Sequence, residues 1–260
     1  VGKTEVAKQL AAALGIESSM KPTDSLALGA YEVRPRELAA AYATFASGGT
    51  YEKPSLITRV VGPDGADIAL PKSPPRRRVL EEDEAYLVTS LLSSVIESGT
   101  GRRARSLKLP LAGKTGTSND AKDAWFAGYS PELVCVVWTG YDDAQPLGQG
   151  ESGASAALPA WMAFMKAAHR GREVAAFKRP EGIVELAIDP ATGLLPYPEQ
   201  EDTRLEIFLR GTEPSDQAET PDGGVDGGVD AGVDEADDAG RGVPFGAPPA
   251  RGVDAAGTAS

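Results

Sequence analysis

The stretch from Leu109 to Asp142 constrains the fold more than any other part of this chain, because it predicts three consecutive strands. An apolar approach leads into a strand that ends with Lys114–Thr117, the sequence KTGT. Two more apolar runs follow at Asp123–Tyr129 and Leu133–Trp138, and a Ser-Pro turn separates them. Short strands joined by turns in this way are typical of an antiparallel meander. The sequence therefore predicts a sheet in which KTGT ends the first strand.

The KTGT residues form a pattern suited to a ligand that carries a carboxylate. Residues two apart on a strand point to the same side, so Thr115 and Thr117 place two hydroxyls on one face. Lys114 adds a cation, and Gly116 removes a side chain that would block a ligand lying along the strand. The hydroxyls and the ammonium can bind the carboxylate, and the Thr117 backbone N–H can bind a developing oxyanion. We therefore expect a site for a peptide terminus here.

KTGT and the two strands after it resemble the transpeptidase domain of class A (bifunctional) penicillin-binding proteins, whose third serine-hydrolase motif is Lys-Thr-Gly. The segment from Val6 to Val33 and the two segments Arg179–Pro190 and Glu206–Pro214 are similar to flanking parts of the same family, so the resemblance covers about residues 1–213. It implies an α+β fold of the serine β-lactamase/transpeptidase type, with helices packed on the faces of an antiparallel sheet that is incomplete at the N-terminus.

The resemblance also implies a function, that of a peptidoglycan D,D-transpeptidase. A serine activated by the lysine of a Ser-x-x-Lys motif forms an acyl-enzyme with a stem peptide ending in D-Ala-D-Ala, and penicillins acylate the same serine. Lys114, Thr115 and Thr117 would hold the terminal carboxylate, the Thr117 N–H would supply one oxyanion donor, and Gly116 would give clearance. The implied partners are peptidoglycan stem peptides and β-lactams. No cofactor is implied, and the implied location is the periplasmic face of the bacterial inner membrane.

The nucleophile of this family is missing from the sequence. Ser18 and Lys21 have the Ser-x-x-Lys spacing, but a working serine opens a helix that carries the lysine one turn later. Pro22 disfavours helix at Lys21, so we reject Ser18 as the nucleophile. The chain has no other Ser-x-x-Lys and no Ser-x-Asn. We therefore expect a fragment whose catalytic serine, membrane anchor and glycosyltransferase domain lie upstream, and which alone does not react with penicillin.

Composition excludes several other classes of function. The net charge is −12, but residues 213–260 hold 11 acidic and 2 basic residues, so the rest carries only −3 and offers no nucleic-acid surface. The single cysteine, Cys135, is most simply a core residue, and the single histidine, His169, is expected to be structural. With so few ligand residues, no metal site is predicted. We predict a transpeptidase portion at 1–170, a C-terminal extension at 171–214 and a disordered acidic tail at 215–260.

Three alternatives stay open at this point. Gly2-Lys3-Thr4 could end a phosphate-binding loop of a P-loop NTPase over residues 1–14, although the upstream glycine is not in this chain. A non-catalytic module could keep the penicillin-binding sheet without the serine. A carboxypeptidase or β-lactamase would share Lys-Thr-Gly, although the strands after the motif and the C-terminal extension argue against both. The basic run Arg102–Arg105 is either a solvated loop or a source of positive potential near an acidic substrate.

Apolar periodicity predicts four helices outside the meander. They cover Val6–Leu14, Pro35–Ala46, Glu81–Glu97 and Pro159–Ala168. The third has acidic residues in its first turn, and its apolar face is formed by Leu87, Leu91, Val95 and their neighbours. One side of the fourth is suited to covering a sheet face and is lined by Trp161, Met162, Met165 and Ala168. A hairpin is predicted from residues 53–61 and 68–70, followed by a solvated loop at 72–78.

Overall fold

A computed structural model describes residues 2–220 of the chain, so the predicted acidic tail lies outside the described residues apart from its first part, 215–220. The helices are α1 (Lys3–Ala13), α2 (Pro35–Ala46), α3 (Glu82–Glu97) and α4 (Leu158–Ala168). The strands are β1 (Thr50–Tyr51), β2 (Val60–Val61), β3 (Asp67–Ile68), β4 (Arg77–Arg78), β5 (Ala112–Thr117), β6 (Asp123–Tyr129), β7 (Val134–Gly140), β8 (Ile183–Ile188) and β9 (Arg204–Leu209). The four predicted helices are all present, with ends shifted by a few residues.

The predicted meander is the central sheet. Strands β5, β6 and β7 pair antiparallel in that order, with Lys114 opposite Ala127 and Gly116 opposite Trp125. The KTGT motif forms the last four residues of β5, as predicted. The strand begins at Ala112 rather than Leu109, because the preceding Leu-Pro-Leu segment includes a proline, which has no N–H to donate to a ladder.

Helices cover both faces of this sheet. On one face Phe126 packs against Trp161 of α4 with ring centroids 4.8 Å apart, and Leu158 and Met165 of the same helix are fully buried. On the other face Tyr42 of α2 meets Tyr129 edge to face at 6.1 Å. The layers of an α+β fold are therefore built around β5–β7, as the sequence predicted.

Helix α3 begins as its sequence predicts, but its predicted apolar face is only partly buried. The Glu81 side chain accepts the N–H of the third helical residue, and the Glu84 carboxylate accepts the Glu81 N–H at 2.9 Å, which makes a capping box. The predicted apolar face is wrong at Leu91, which is 67% exposed, whereas Leu87 and Val95 are half-buried. The buried residues are Ala85, Thr89 and Ile96, and the Thr89 hydroxyl lies 2.9 Å from the Tyr129 hydroxyl. Small and hydrogen-bonding side chains thus let α3 approach the sheet closely.

The predicted hairpin and loop between α2 and α3 are partly wrong. Only Val60–Val61 and Asp67–Ile68 pair there, and the predicted loop contributes β4, which pairs with β1. Two contacts of Arg77 explain this pairing, because its guanidinium lies 4.6 Å from the centre of the Tyr51 ring and donates to the Ala13 carbonyl at 2.6 Å. Such long-range contacts leave no periodic signal in the sequence.

The C-terminal part of the described chain is a separate hairpin. Strands β8 and β9 pair antiparallel with Ile183 opposite Leu209. Beyond residue 214, Gln217 forms a bridge with Leu195 and Ala218 is buried. Across residues 2–220, no helix combines the length and the apolar character needed to cross a membrane.

Candidate functional site

The KTGT motif lies on an open edge of the sheet. Strand β5 has β6 on one side, and within residues 2–220 no strand pairs with its other side. Lys114 is exposed, and its ammonium donates to the Thr115 carbonyl at 2.8 Å. An edge strand presents backbone N–H and C=O groups that can pair with an extended ligand. The structure therefore combines a cation with a free backbone edge.

The two threonine hydroxyls share one side of β5, and each contacts a residue from a different part of the chain. The Thr115 hydroxyl lies 2.7 Å from the Thr100 hydroxyl, and the Thr117 hydroxyl accepts the Gly153 N–H at 3.1 Å. Because Thr117 accepts in this contact, its hydroxyl hydrogen is left to donate to a ligand. The pair can therefore bind an anion while remaining anchored to the protein.

Glycines allow the approach of the segment before α4. A Cβ on Gly153 would lie 2.6 Å from the Gly116 carbonyl oxygen and 3.0 Å from its nitrogen, so only glycine fits there. A Cβ on Gly116 would lie 3.2 Å from the Trp125 Cβ. Of these residues, the sequence predicted a role for Gly116 but not for Gly153 or Thr100. The triplet Gly99-Thr100-Gly101 indicates a tight turn and could have drawn attention to Thr100. No sequence pattern pointed to Gly153.

Ser18 has a structural role, in agreement with its rejection as a nucleophile. It lies outside any helix, in the segment between α1 and a 3-10 turn at Asp24–Leu28. Its hydroxyl donates to Glu37 Oε2 at 2.6 Å and its N–H donates to the same oxygen at 3.1 Å. Arg34 Nη1 lies 2.8 Å from Oε1 of the same carboxylate. These contacts hold the loop against α2.

The Glu37 cluster predicts a dependence of stability on pH. Burial raises the pKa of Glu37, but the hydrogen bonds from Ser18 and Arg34 outweigh it and lower the pKa from 4.5. The contribution of Glu37 is therefore complete above pH 4.5 and is lost as pH falls through the lower folded-state value. We expect Glu37→Gln to lower the free energy of unfolding by about 1–3 kcal/mol at neutral pH and to flatten its decline in acid, as measured by urea unfolding. An unchanged acid slope would contradict this role.

His169 and Cys135 are also structural. The Ser130 hydroxyl oxygen accepts the N–H groups of Glu132 and Leu133 at 3.3 and 3.2 Å, and it is hydrogen-bonded to His169 Nε2, 3.0 Å away. Both partners are buried beyond the Tyr129 end of β6, whereas Thr117 lies opposite Ala124 at the other end. Burial raises the pKa of the Cys135 thiol to about 11, which leaves no reactive thiolate near neutral pH.

The described part of the chain, residues 2–220, holds no cluster of three or more histidine, cysteine or acidic side chains placed to bind a metal ion. The basic run 102–105 falls in a 3-10 turn, Arg102–Leu107, that follows α3. Arg105 donates to the Glu97 carbonyl at 3.3 Å, which links this turn to the end of α3.

Comparison with known proteins matches two families to this chain. Residues 8–163 match the penicillin binding protein transpeptidase domain, and residues 179–220 match the C-terminal domain of penicillin-binding protein 1A. The first match begins inside α1 and includes KTGT. It therefore favours the penicillin-binding interpretation of α1 over the nucleotide-binding one.

Relatives and a solved structure agree with these matches. Penicillin-binding protein 1A of Pseudomonas aeruginosa is 34% identical over 76% of this chain and 30% of its own length. The protein of that name from Aquifex aeolicus is 38% identical over 81% of this chain and 28% of its own length. The crystal structure of penicillin-binding protein 1A from Haemophilus influenzae superposes with a TM-score of 0.75 at 31% identity, over 84% of this chain and 38% of that one.

The chain thus spans less than a third of the length of the two curated relatives named here. The family model covers more than half of the chain, and its match includes all three strands of the central sheet. The chain belongs to the penicillin-binding protein transpeptidase family, as a part similar to penicillin-binding protein 1A.

Proposed function

We propose that this chain supplies the carboxylate- and oxyanion-binding strand of a peptidoglycan D,D-transpeptidase. One observation carries the proposal: β5 carries the Lys114 ammonium and the hydroxyls of Thr115 and Thr117, and one edge of this strand is unpaired within residues 2–220. A stem peptide ending in D-Ala-D-Ala has the matching groups, which are a terminal carboxylate and an adjacent peptide carbonyl. The positive charge and the two hydroxyls bind the carboxylate.

The open edge of β5 supports this binding mode. An extended peptide can pair with an unpaired strand through main-chain hydrogen bonds, and side-chain groups then set its register. In that register the Thr117 N–H donates to the carbonyl oxygen, where negative charge develops during attack. Gly116 adds no side chain over this edge. The strand thereby orients the scissile bond without taking part in bond formation.

The bond-forming residue belongs to the complete protein, outside this chain. In the reaction that we propose, a serine oxygen attacks the penultimate D-alanine carbonyl and forms an ester. The peptide bond to the terminal D-alanine breaks, and D-alanine leaves with the proton taken from the serine. An amine of a second stem peptide then attacks the ester, forms the cross-link and returns the proton to the serine. A membrane-anchored location on the periplasmic face belongs to the same proposal.

Labelling with a fluorescent penicillin tests this function. The complete translation product that contains this chain is expected to form a covalent adduct that survives denaturation, whereas the 260-residue chain alone is expected to form none. An adduct on the isolated chain would contradict the assignment of the nucleophile to the rest of the protein. A complete product that never reacts, and that releases no D-alanine from a D-Ala-D-Ala peptide, would leave a non-catalytic module as the function.

A further inference from the structure

The Thr100 hydroxyl is within hydrogen-bond distance of the Thr115 hydroxyl, with 2.7 Å between the two oxygens. Thr100 is not part of the KTGT motif, since it lies in the turn that follows α3. Thr115 is half-buried and Thr100 is exposed. The contact thus joins a loop residue to the carboxylate-binding strand at the surface where a ligand would bind.

The turn that carries Thr100 is fixed by the glycines on either side of it. The Gly99 N–H donates to the Ser94 carbonyl at 3.2 Å, and the Gly101 N–H donates to the Val95 carbonyl at 3.0 Å. A Cβ on Gly99 would lie 2.9 Å from the Val95 Cα. A Cβ on Gly101 would lie 2.9 Å from Ile96 Cδ1. The turn folds tightly onto the last turn of α3, so Thr100 is held in place rather than free to swing away.

We propose that Thr100 is a positioning residue for the carboxylate site, an inference that rests on the proposed transpeptidase function. Its hydroxyl donates to Thr115 Oγ1, and the Thr115 hydrogen therefore points toward the ligand. A hydroxyl carries one hydrogen, so Thr115 cannot donate to Thr100 and to a carboxylate at once. A bound anion selects the arrangement in which the hydrogens run from Thr100 to Thr115 to the carboxylate, and each bond in such a chain strengthens the next.

Thr117 has a corresponding contact, because its Oγ1 accepts the Gly153 N–H at 3.1 Å. A backbone N–H can only donate, so the Thr117 hydrogen is not used in this contact and is left for another acceptor. Thr100 differs because its hydroxyl can be replaced by mutation. It is therefore the position at which the inference can be tested.

The test compares Thr100→Val, which keeps the shape but removes the hydroxyl, with Thr100→Ser, which keeps the hydroxyl. Both are made in the complete translation product, and the rate of acylation is measured with benzylpenicillin and with its methyl ester. We expect Thr100→Val to react with benzylpenicillin about fivefold more slowly and Thr100→Ser to react within about twofold of the parent protein. With the uncharged methyl ester, the three proteins are expected to react at the same rate.

Two controls separate positioning from a loss of structure. In a Thr115→Val background, Thr100→Val is expected to cause no further loss, because the two hydroxyls act in one chain. Thr58→Val, at an exposed threonine in a loop, removes a hydroxyl elsewhere and is expected to leave the rate unchanged. Melting temperatures of all variants are measured alongside to detect unfolding.

The outcomes distinguish this inference from the proposed function. If the parent protein reacts but Thr100→Val and Thr100→Ser react equally fast, Thr100 does not position Thr115 and the function stands. Equal slowing with benzylpenicillin and its methyl ester would assign Thr100 a general structural role and overturn the inference. A parent protein that does not react with penicillin would overturn both.

Discussion

Replacing Lys114 by alanine is expected to slow acylation of the complete protein by penicillin about 10–100-fold. A hydrogen bond to a charged group contributes about 1.5–3 kcal/mol, and Lys114 provides the only cation within the KTGT motif for the ligand carboxylate. The free energy of unfolding should change by less than about 0.5 kcal/mol, because the side chain is exposed and its ammonium donates only locally, to the neighbouring Thr115 carbonyl. Stopped-flow or gel-based labelling measures the rate, and urea unfolding measures the stability.

The control for this prediction is Lys166→Ala, which removes the same charge from an exposed position on α4. We expect Lys166→Ala to react at the rate of the parent protein. If Lys114→Ala also reacted at that rate, the carboxylate would not depend on this ammonium, and the proposed orientation of the ligand along β5 would be wrong. Equal slowing in both variants would indicate a general effect of net charge.

Replacing Trp161 by alanine is expected to lower the free energy of unfolding by about 3–5 kcal/mol. The side chain is fully buried and packs on Phe126 with ring centroids 4.8 Å apart. Its indole N–H donates to the Cys135 carbonyl at 3.0 Å, so the mutation also removes a hydrogen bond between α4 and β7. The mutation therefore has two destabilising effects, because it leaves a cavity and also leaves the Cys135 carbonyl without its donor. Both effects weaken the sheet that positions KTGT.

Phe164→Ala provides a matched control on the same helix. Phe164 is 48% exposed, so its removal is expected to cost less than about 1 kcal/mol. Urea unfolding followed by far-UV circular dichroism measures both variants under one set of conditions. Equal losses in the two variants would show that α4 does not hold the sheet through Trp161. Trp161→Phe, which keeps most of the ring volume, should fall between them.

Local sequence chemistry was enough to predict most of the elements. The acidic first turn of α3 predicted a helix start, and the structure places a capping box at Glu81 and Glu84. The apolar side predicted for α4 consists of Trp161, Met162, Met165 and Ala168, and of these Trp161 and Met165 are fully buried while the other two are half-buried. These signals are readable because each depends on residues within one or two turns of each other.

Other features depended on partners that are distant in sequence. The apolar face predicted for α3 was only partly right, because Leu91 is exposed. Thr89, which the apolar pattern does not predict, is buried and contacts Tyr129, 40 residues away. The spacing of apolar residues shows which side of a helix is apolar, but the helices and strands packed around it determine which side is buried. The pairing of β1 with β4 was missed for the same reason, because it depends on contacts of Arg77 with Tyr51 and Ala13.

By itself, the sequence determined the meander, the position of KTGT at the end of its first strand, and the family to which the chain belongs. Those properties reside in short runs of neighbouring residues. Only the tertiary structure decided what holds the two threonine hydroxyls. Thr100 is 15 residues from Thr115, and Gly153 is 36 residues from Thr117. Their approach follows from the packing of α3 and of the segment before α4 against β5, which no spacing along the chain encodes.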